Sequence, residues 1–422
     1  MAGEFEVPSG FTLTVRGPGS AEVVEGEVTA FGARLTGGSK LQIPEGRTIP
    51  LEAVVDSFIR SSTESAEVVK GSTVPKEWEE LAKEALDRGR VMVIGASDTG
   101  KSSLILYMMN RALAAGRRPA IVDADIGQTD IGPAGTIGLA FPRNQSPVYS
   151  GFEMSDAYFV GDKSPVGHLL PMVVGSRLML DRAVGAGAAP VFVNTTGFVE
   201  GSSGWALKTH KVEVLEPDLL IAIERGEELR QVLRSIPRDI RVRRVRPPGA
   251  LVKERADRAR YRVTTLTSIA ARRTPVEVNL RDVRLVNART LLMPEDGELR
   301  RRLEAATGTR PELVGVSGNE AVAVFRERLE QKAFSYAMAI LEGAGEPRVV
   351  TLDRLEGLYL GLMDSHDKLI GVGRLLKLEP RHGIMRGEAV FFSQGEVGGV
   401  VFGYLLLDDE WREIGTIKPG YL

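Results

Sequence analysis

The stretch Gly95-Ala96-Ser97-Asp98-Thr99-Gly100-Lys101-Ser102 constrains this chain more than any other, because it has the spacing G-x-x-x-x-G-K-[ST] in the setting that spacing requires. V-M-V-I-G, a continuous apolar strand, runs into it, and a helical pattern from about Lys101 to Ala115 runs out of it. A strand feeding a helix through a glycine-rich turn aims successive backbone N–H groups and the positive end of the helix at one point, where a phosphate binds. Lys101 adds a point charge across the outer phosphates, and Ser102 offers a hydroxyl to magnesium. Residues Gly95 to Ser103 are therefore the expected nucleoside triphosphate site. The alternative, a glycine-rich turn that binds nothing, does not account for the strand and helix on either side.

The alternation continues through P-A-I-V-D, P-V-F-V-N and D-L-L-I-A-I, which predicts a parallel α/β sheet. The first of these strands ends in I-V-D-A-D-I-G-Q, with Asp123 and Asp125 two apart. In extended geometry both point the same way at the carboxyl end of the sheet, the end that holds ligands in open α/β folds. Two carboxylates beside a P-loop suit coordination of magnesium and its waters, and acceptance of a proton from an attacking hydroxyl. Gln128 is placed to orient the same groups, and Asp123 has the alternative of capping the following turn. The next strand runs into Asn194, Thr195, Thr196, Gly197 and Phe198, small polar residues that let a loop approach a phosphate or an acceptor. A guanine-specifying N-K-x-D is missing; the strand that would carry it continues as I-A-I-E-R-G.

On either side the pattern is different. The first ~75 residues are short alternating stretches between Gly and Pro turns, a small β domain. Pro75 then opens a helix with Trp78, Leu81, Ala82 and Leu86 at helical spacing and Gly89 as its cap. After about Arg273 the chain again reads as glycine-punctuated strands, interrupted by one helix in E-R-L-E-Q-K-A-F-S-Y-A-M-A-I-L-E-G. The expected architecture is an N-terminal β domain (1–78), an α/β P-loop domain with a parallel sheet (79–272), and a C-terminal β-rich domain (273–422).

Composition narrows the chemistry. With no cysteine there is no disulfide, thiolate zinc site or thiol nucleophile, which fits a reducing cytoplasm. His168, His210, His366 and His382 lie far apart and share no ligand spacing. No basic start precedes an apolar core, and no apolar run approaches the ~20 residues of a membrane span, so a cytoplasmic protein without membrane contact is expected. Six Asn and six Gln beside abundant Arg and Glu suggest a thermophilic source. The net charge is -2, yet from Arg230 to Arg262 eleven Arg and one Lys face three acidic residues, and twelve minus three leaves a local excess of nine positive charges. Such a stretch predicts an anionic visitor. Within it Arg255, Arg258 and Arg262 share one helical face, and Arg260 looks elsewhere. An arginine from this stretch above a γ-phosphate would stabilise transition-state charge; a solvated charged helix would do nothing chemical.

Together G-A-S-D-T-G-K-S, D-A-D-I-G-Q, Y-F-V-G-D-K-S-P-V-G-H (Tyr158 to His168), N-T-T-G-F and P-P-G-A-L-V-K-E-R-A-D-R-A-R occur in an order that resembles the P-loop polynucleotide 5′-hydroxyl kinases of pre-tRNA splicing, mRNA 3′-end processing and ribosomal RNA maturation, their archaeal members above all. The resemblance covers about residues 79–270. It implies ATP and Mg2+ as cofactors, transfer of the γ-phosphate to the 5′-OH of RNA or DNA, and a place in an RNA-processing complex. It further implies that Lys101 and Ser102 hold phosphates and magnesium, that Asp125 is the base and Gln128 its assistant, and that Asp98 is the P-loop acid. Arg255 with Arg258 or Arg260 would form the lid. Lys163 stands where a hydroxyl is common, and Phe198 replaces the tryptophan of many members while keeping an aromatic face for a terminal base. Two alternatives accompany this reading: a nucleotide-bound scaffold without transfer, and an NTPase switch, whose sheets also show V-D-A-D-I-G-Q.

Overall fold

A computed structural model describes residues 3–63, 65–248 and 266–422. The chain divides into two compact units, Met1–Thr264 and Thr265–Leu422.

The first unit opens with two antiparallel sheets, one of four strands between Gly3 and Ser61 and one of five strands between Phe11 and Lys70. Alternation builds them: in Phe11–Arg16, Leu13 and Val15 are fully buried, as are Val23, Leu51 and Ile59 on neighbouring strands. This apolar cluster continues without a break into Trp78 and Leu81 of the helix Lys76–Leu86, and into Leu104, Ile105, Met108 and Met109 of the P-loop helix Lys101–Ala114. Asn110 stitches the two regions: its Nδ2 donates to the carbonyls of Phe31 and Ser146, both at 2.8 Å, and its Oδ1 accepts from Ser146 N at 3.0 Å.

The central sheet has seven strands in the order Met154–Phe159, Thr136–Ala140, Ala120–Ala124, Val191–Thr195, Arg90–Gly95, Leu219–Ile223, Arg241–Val245. The last five are mutually parallel. Their inner members are buried throughout and mostly apolar because both faces are covered, with Asp123, Asn194 and Thr195 as polar exceptions near the carboxyl ends. The helices Leu169–Gly185 and Gly201–Leu215 enclose a second cluster around Met92, Ile94, Val122 and Leu220. Two strands go beyond the expected parallel sheet: Thr136–Ala140 pairs antiparallel with Ala120–Ala124, and Met154–Phe159 extends that edge. Gly138 lets the loop at Ile131 lie against the strand, since a Cβ there would be 1.9 Å from the Ile131 carbonyl oxygen.

The second unit holds a six-strand path, Thr274–Asn279, Ile384–Phe391, Leu369–Glu379, Leu358–Met363, Gly399–Leu407 and Arg284–Val286, with Glu413–Thr416 added beside Gly399–Leu407. A three-stranded sheet (Leu313–Ser317, Glu320–Phe325, Glu346–Thr351) packs with the helices Gly297–Thr307 and Gln331–Glu342. The second helix falls where periodicity predicts it. The first begins at Asp296, whose carboxylate accepts from the N–H groups of Glu298 at 3.0 Å and Leu299 at 2.9 Å. Among the described residues no helix is long and apolar enough to cross a membrane.

Candidate active site

The P-loop turns on two residues in the left-handed region, Asp98 (φ 58°) and Gly100 (φ 88°). Thr99 Oγ1 at 2.9 Å and Lys101 Nζ at 2.8 Å both donate to the Ala96 carbonyl, so the lysine lies folded along its own loop. Burial lowers the Lys101 pKa, and the negative charges of Asp125 and Asp98 oppose that shift.

Neighbouring elements grip the loop from outside. Arg225, the arginine of I-A-I-E-R-G, donates to the carbonyls of Asp98 at 2.8 Å and Ser97 at 3.3 Å. Gly197 of N-T-T-G-F comes so close that a Cβ on it would lie 2.4 Å from Ser97 Oγ and 2.6 Å from Ser97 N. Tyr149 donates its hydroxyl to the Ser102 carbonyl at 2.7 Å.

The two aspartates part company. Asp125 lines the pocket with Ser97, Lys101, Ser102, Ser103 and Gln128, whereas Asp123 lies almost fully buried behind it. Asp123 accepts from Asn194 Nδ2 at 2.9 Å, Thr129 Oγ1 at 3.1 Å, Asp130 N at 2.7 Å and Asp125 N at 3.3 Å, so it caps its turn as the alternative reading has it. Burial, then the nearby Asp130 and Asp125, push its pKa up to about 7. Burial also raises the Asp125 pKa, against the pull of Lys101 and Lys208. Asn194 Nδ2 further reaches Ser102 Oγ at 3.3 Å, while its Oδ1 is buried with no partner.

A Cβ on Gly127 would meet the Lys163 carbonyl oxygen at 2.8 Å, so the D-I-G-Q and G-D-K-S turns touch. Asp162 shapes the second turn through Ser164 N at 3.0 Å and His168 Nε2 at 3.0 Å. Thr195 spends its hydroxyl on the Val93 carbonyl at 2.8 Å, and Thr196 Oγ1 accepts from Phe198 N at 3.3 Å. Phe198 itself is half-buried. Arg255, Arg258 and Arg260 lie outside the described residues.

The described part of the basic stretch is far less free than its charge count implies. Arg241 and Arg243 pair with Glu84 at 3.1 and 2.8 Å, Arg230 pairs with Glu227 at 2.8 Å, and Arg244 pairs with the buried Glu224. Counting along the chain misses these acids, because Glu84 and Glu224 lie outside the stretch.

Motif spacing leaves several neighbours unannounced. Arg16, Phe31 and Arg47 from the N-terminal sheets line the same pocket as the P-loop, and Arg47 pairs with Asp130. Beneath the site Lys208 and Lys211 are fully buried. Lys208 donates to the Thr196 carbonyl, and burial pushes the Lys211 pKa down to about 7.

A family model described as mRNA cleavage and polyadenylation factor CLP1 P-loop matches residues 95–268, the stretch holding the P-loop, both aspartates and N-T-T-G-F. Over that stretch the chain is similar to this family. The chain is 28% identical over 337 residues to the polyribonucleotide 5′-hydroxyl-kinase of Pyrococcus abyssi, covering 78% of this chain and 90% of that one. It is 37% identical over 153 residues to the protein of that name from Methanocaldococcus jannaschii, covering 36% of this chain and 42% of that relative, less than half its length. Clp1p, solved in a complex with Pcf11p, shares the fold with a TM-score of 0.64 over 96% of this chain and 97% of that one, at 12% identity.

Proposed function

We propose that this chain is an ATP-dependent polynucleotide kinase that transfers the γ-phosphate to the 5′-hydroxyl end of RNA. One observation carries the reading: Lys101 of the P-loop and the Asp125 carboxylate face a single pocket, so a bound triphosphate and a proton acceptor meet there.

Among the described residues no cluster of three or more acidic or histidine side chains stands ready to hold a metal. A P-loop magnesium needs no such cluster, since phosphate oxygens and waters fill most of its shell. The donor set suits it: Ser102 Oγ and Asp125 are hard oxygens, and the unpartnered Asn194 Oδ1 is an acceptor for a metal-bound water. When bound, the ion would neutralise charge on the phosphate oxygens.

The chain's own residues do the rest. The N–H groups of Gly95 to Ser103 cradle the phosphates, and Lys101 exchanges the Ala96 carbonyl for phosphate oxygens. Asp125 accepts the proton of the attacking hydroxyl, with Gln128 beside it in the pocket. Asp123 holds Asn194 and the turn to Asp130 in place. Lys163 and Phe198 offer the acceptor a charge and a ring face, and the lid role belongs to Arg255 with Arg258 or Arg260. Arg16, Phe31 and Arg47 wall the pocket where the nucleoside end would lie.

The test incubates the protein with γ-labelled ATP, magnesium and matched 5′-OH and 5′-phosphate RNA and DNA oligonucleotides. Label should appear only on 5′-OH ends, and Asp125→Asn should bind ATP normally while transfer falls by about a hundredfold or more. Normal transfer by Asp125→Asn removes the base assignment. ATP binding without label points to a scaffold, and phosphate release without acceptor points to an NTPase switch.

A further inference from the structure

The helix Gly201–Leu215 packs on the sheet through Gly204, Leu207, Val212 and Leu215, and Lys208 and Lys211 stand on that same buried face about one turn apart. Long charged side chains usually extend their heads to water. Neither of these does, for both are completely buried, and neither lines the pocket. Lys208 donates to the Thr196 carbonyl, next to the glycine that presses on Ser97. Lys211 Nζ has no hydrogen-bond partner; the opposite charges within its electrostatic reach are Asp125 and Asp123.

An amine buried in a core without a hydrogen bond opposes folding whether charged or neutral, and a methionine of similar length would fill the same space without that cost. Asp125 lines the pocket beside Lys101, and both buried lysines lie within electrostatic reach of its carboxylate. The geometry points to Lys208 and Lys211 as positioning residues for Asp125: a floor of two buried amines that fixes the place of its carboxylate, with Lys208 also setting the Thr196–Gly197 turn. This rests on the kinase reading. It adds two residues that touch neither nucleotide nor acceptor and act only through Asp125 and the turn beside it.

Stability and turnover should therefore move in opposite directions. Lys211→Met loses no hydrogen bond, so its melting temperature should equal or exceed that of the parent, while kcat falls about tenfold and KM for ATP stays within about twofold. Lys208→Met also loses the bond to Thr196, so KM for the 5′-OH oligonucleotide should rise as well. A Lys211→Met protein with parental kcat overturns the proposal. So does one that melts lower and loses ATP affinity in step with kcat, because that is how a purely structural lysine behaves. A parent protein that binds ATP and labels no 5′-OH end overturns the kinase reading and this inference with it, a failure visible before any variant is made.

Discussion

Arg225 shows how a single residue takes over a role the sequence assigns to none. It sits where a guanine-binding strand would continue into N-K-x-D, and its guanidinium instead holds two carbonyls of the P-loop. Hydrogen bonds from a charged donor contribute about 1.5–3 kcal/mol, and the low end applies here because Arg225 is exposed. Arg225→Ala should raise KM for ATP about tenfold with kcat within about twofold, measured by initial rates at saturating acceptor; an unchanged KM would show that the loop holds its shape alone. At this scale the sequence is legible where residue type and spacing carry the meaning. Lys101, Ser102 and Asp125 meet in one pocket as G-x-x-x-x-G-K-[ST] and D-A-D imply. Lys208 and Lys211 are written just as plainly, since Gly204, Leu207, Lys208, Lys211, Val212 and Leu215 trace one face of a helix. Lysines on such a face read as solvated unless the burial of the whole helix is known.

Among elements, the P-loop and the N-T-T-G-F turn form one unit, because Gly197 leaves no room between them. Gly197→Ala drives a methyl into the backbone of Ser97. The outlay should be about 1–3 kcal/mol of overpacking, read as a lower melting temperature together with weaker ATP binding by titration. A drop in melting temperature alone would mean that the two loops are mechanically independent. The strands Thr136–Ala140 and Met154–Phe159 escape a reading of the sequence because T-I-G-L-A and M-S-D-A-Y-F are short and their antiparallel pairing joins segments that local periodicity does not connect. The helix Gly297–Thr307 was legible in principle, for Asp296 is a good cap ahead of it. Three consecutive arginines and a weak apolar face hide it.

For the molecule as a whole, the shared apolar cluster is the feature no motif announces. Asn110 of the P-loop helix bonds the Phe31 carbonyl across 79 positions, and Phe31 and Ile49 share one apolar cluster with Leu104 and Met108; such distances leave no trace in a local pattern. Residues 1–264 expressed alone should therefore melt in one cooperative transition, followed by circular dichroism and calorimetry. Removing residues 1–70 should expose the outer face of the P-loop helix and yield protein that does not fold; a soluble, ATP-binding 71–264 fragment would refute the shared core. The wall of the pocket made by Arg16, Phe31 and Arg47 bears on nucleotide choice. On the proposed reading, the part of the site that would meet the nucleoside end is carried on a different stretch of chain from the part that would handle phosphate. Substitutions at Arg16 or Phe31 would then change which nucleotide is accepted while leaving Lys101 and Asp125 in place.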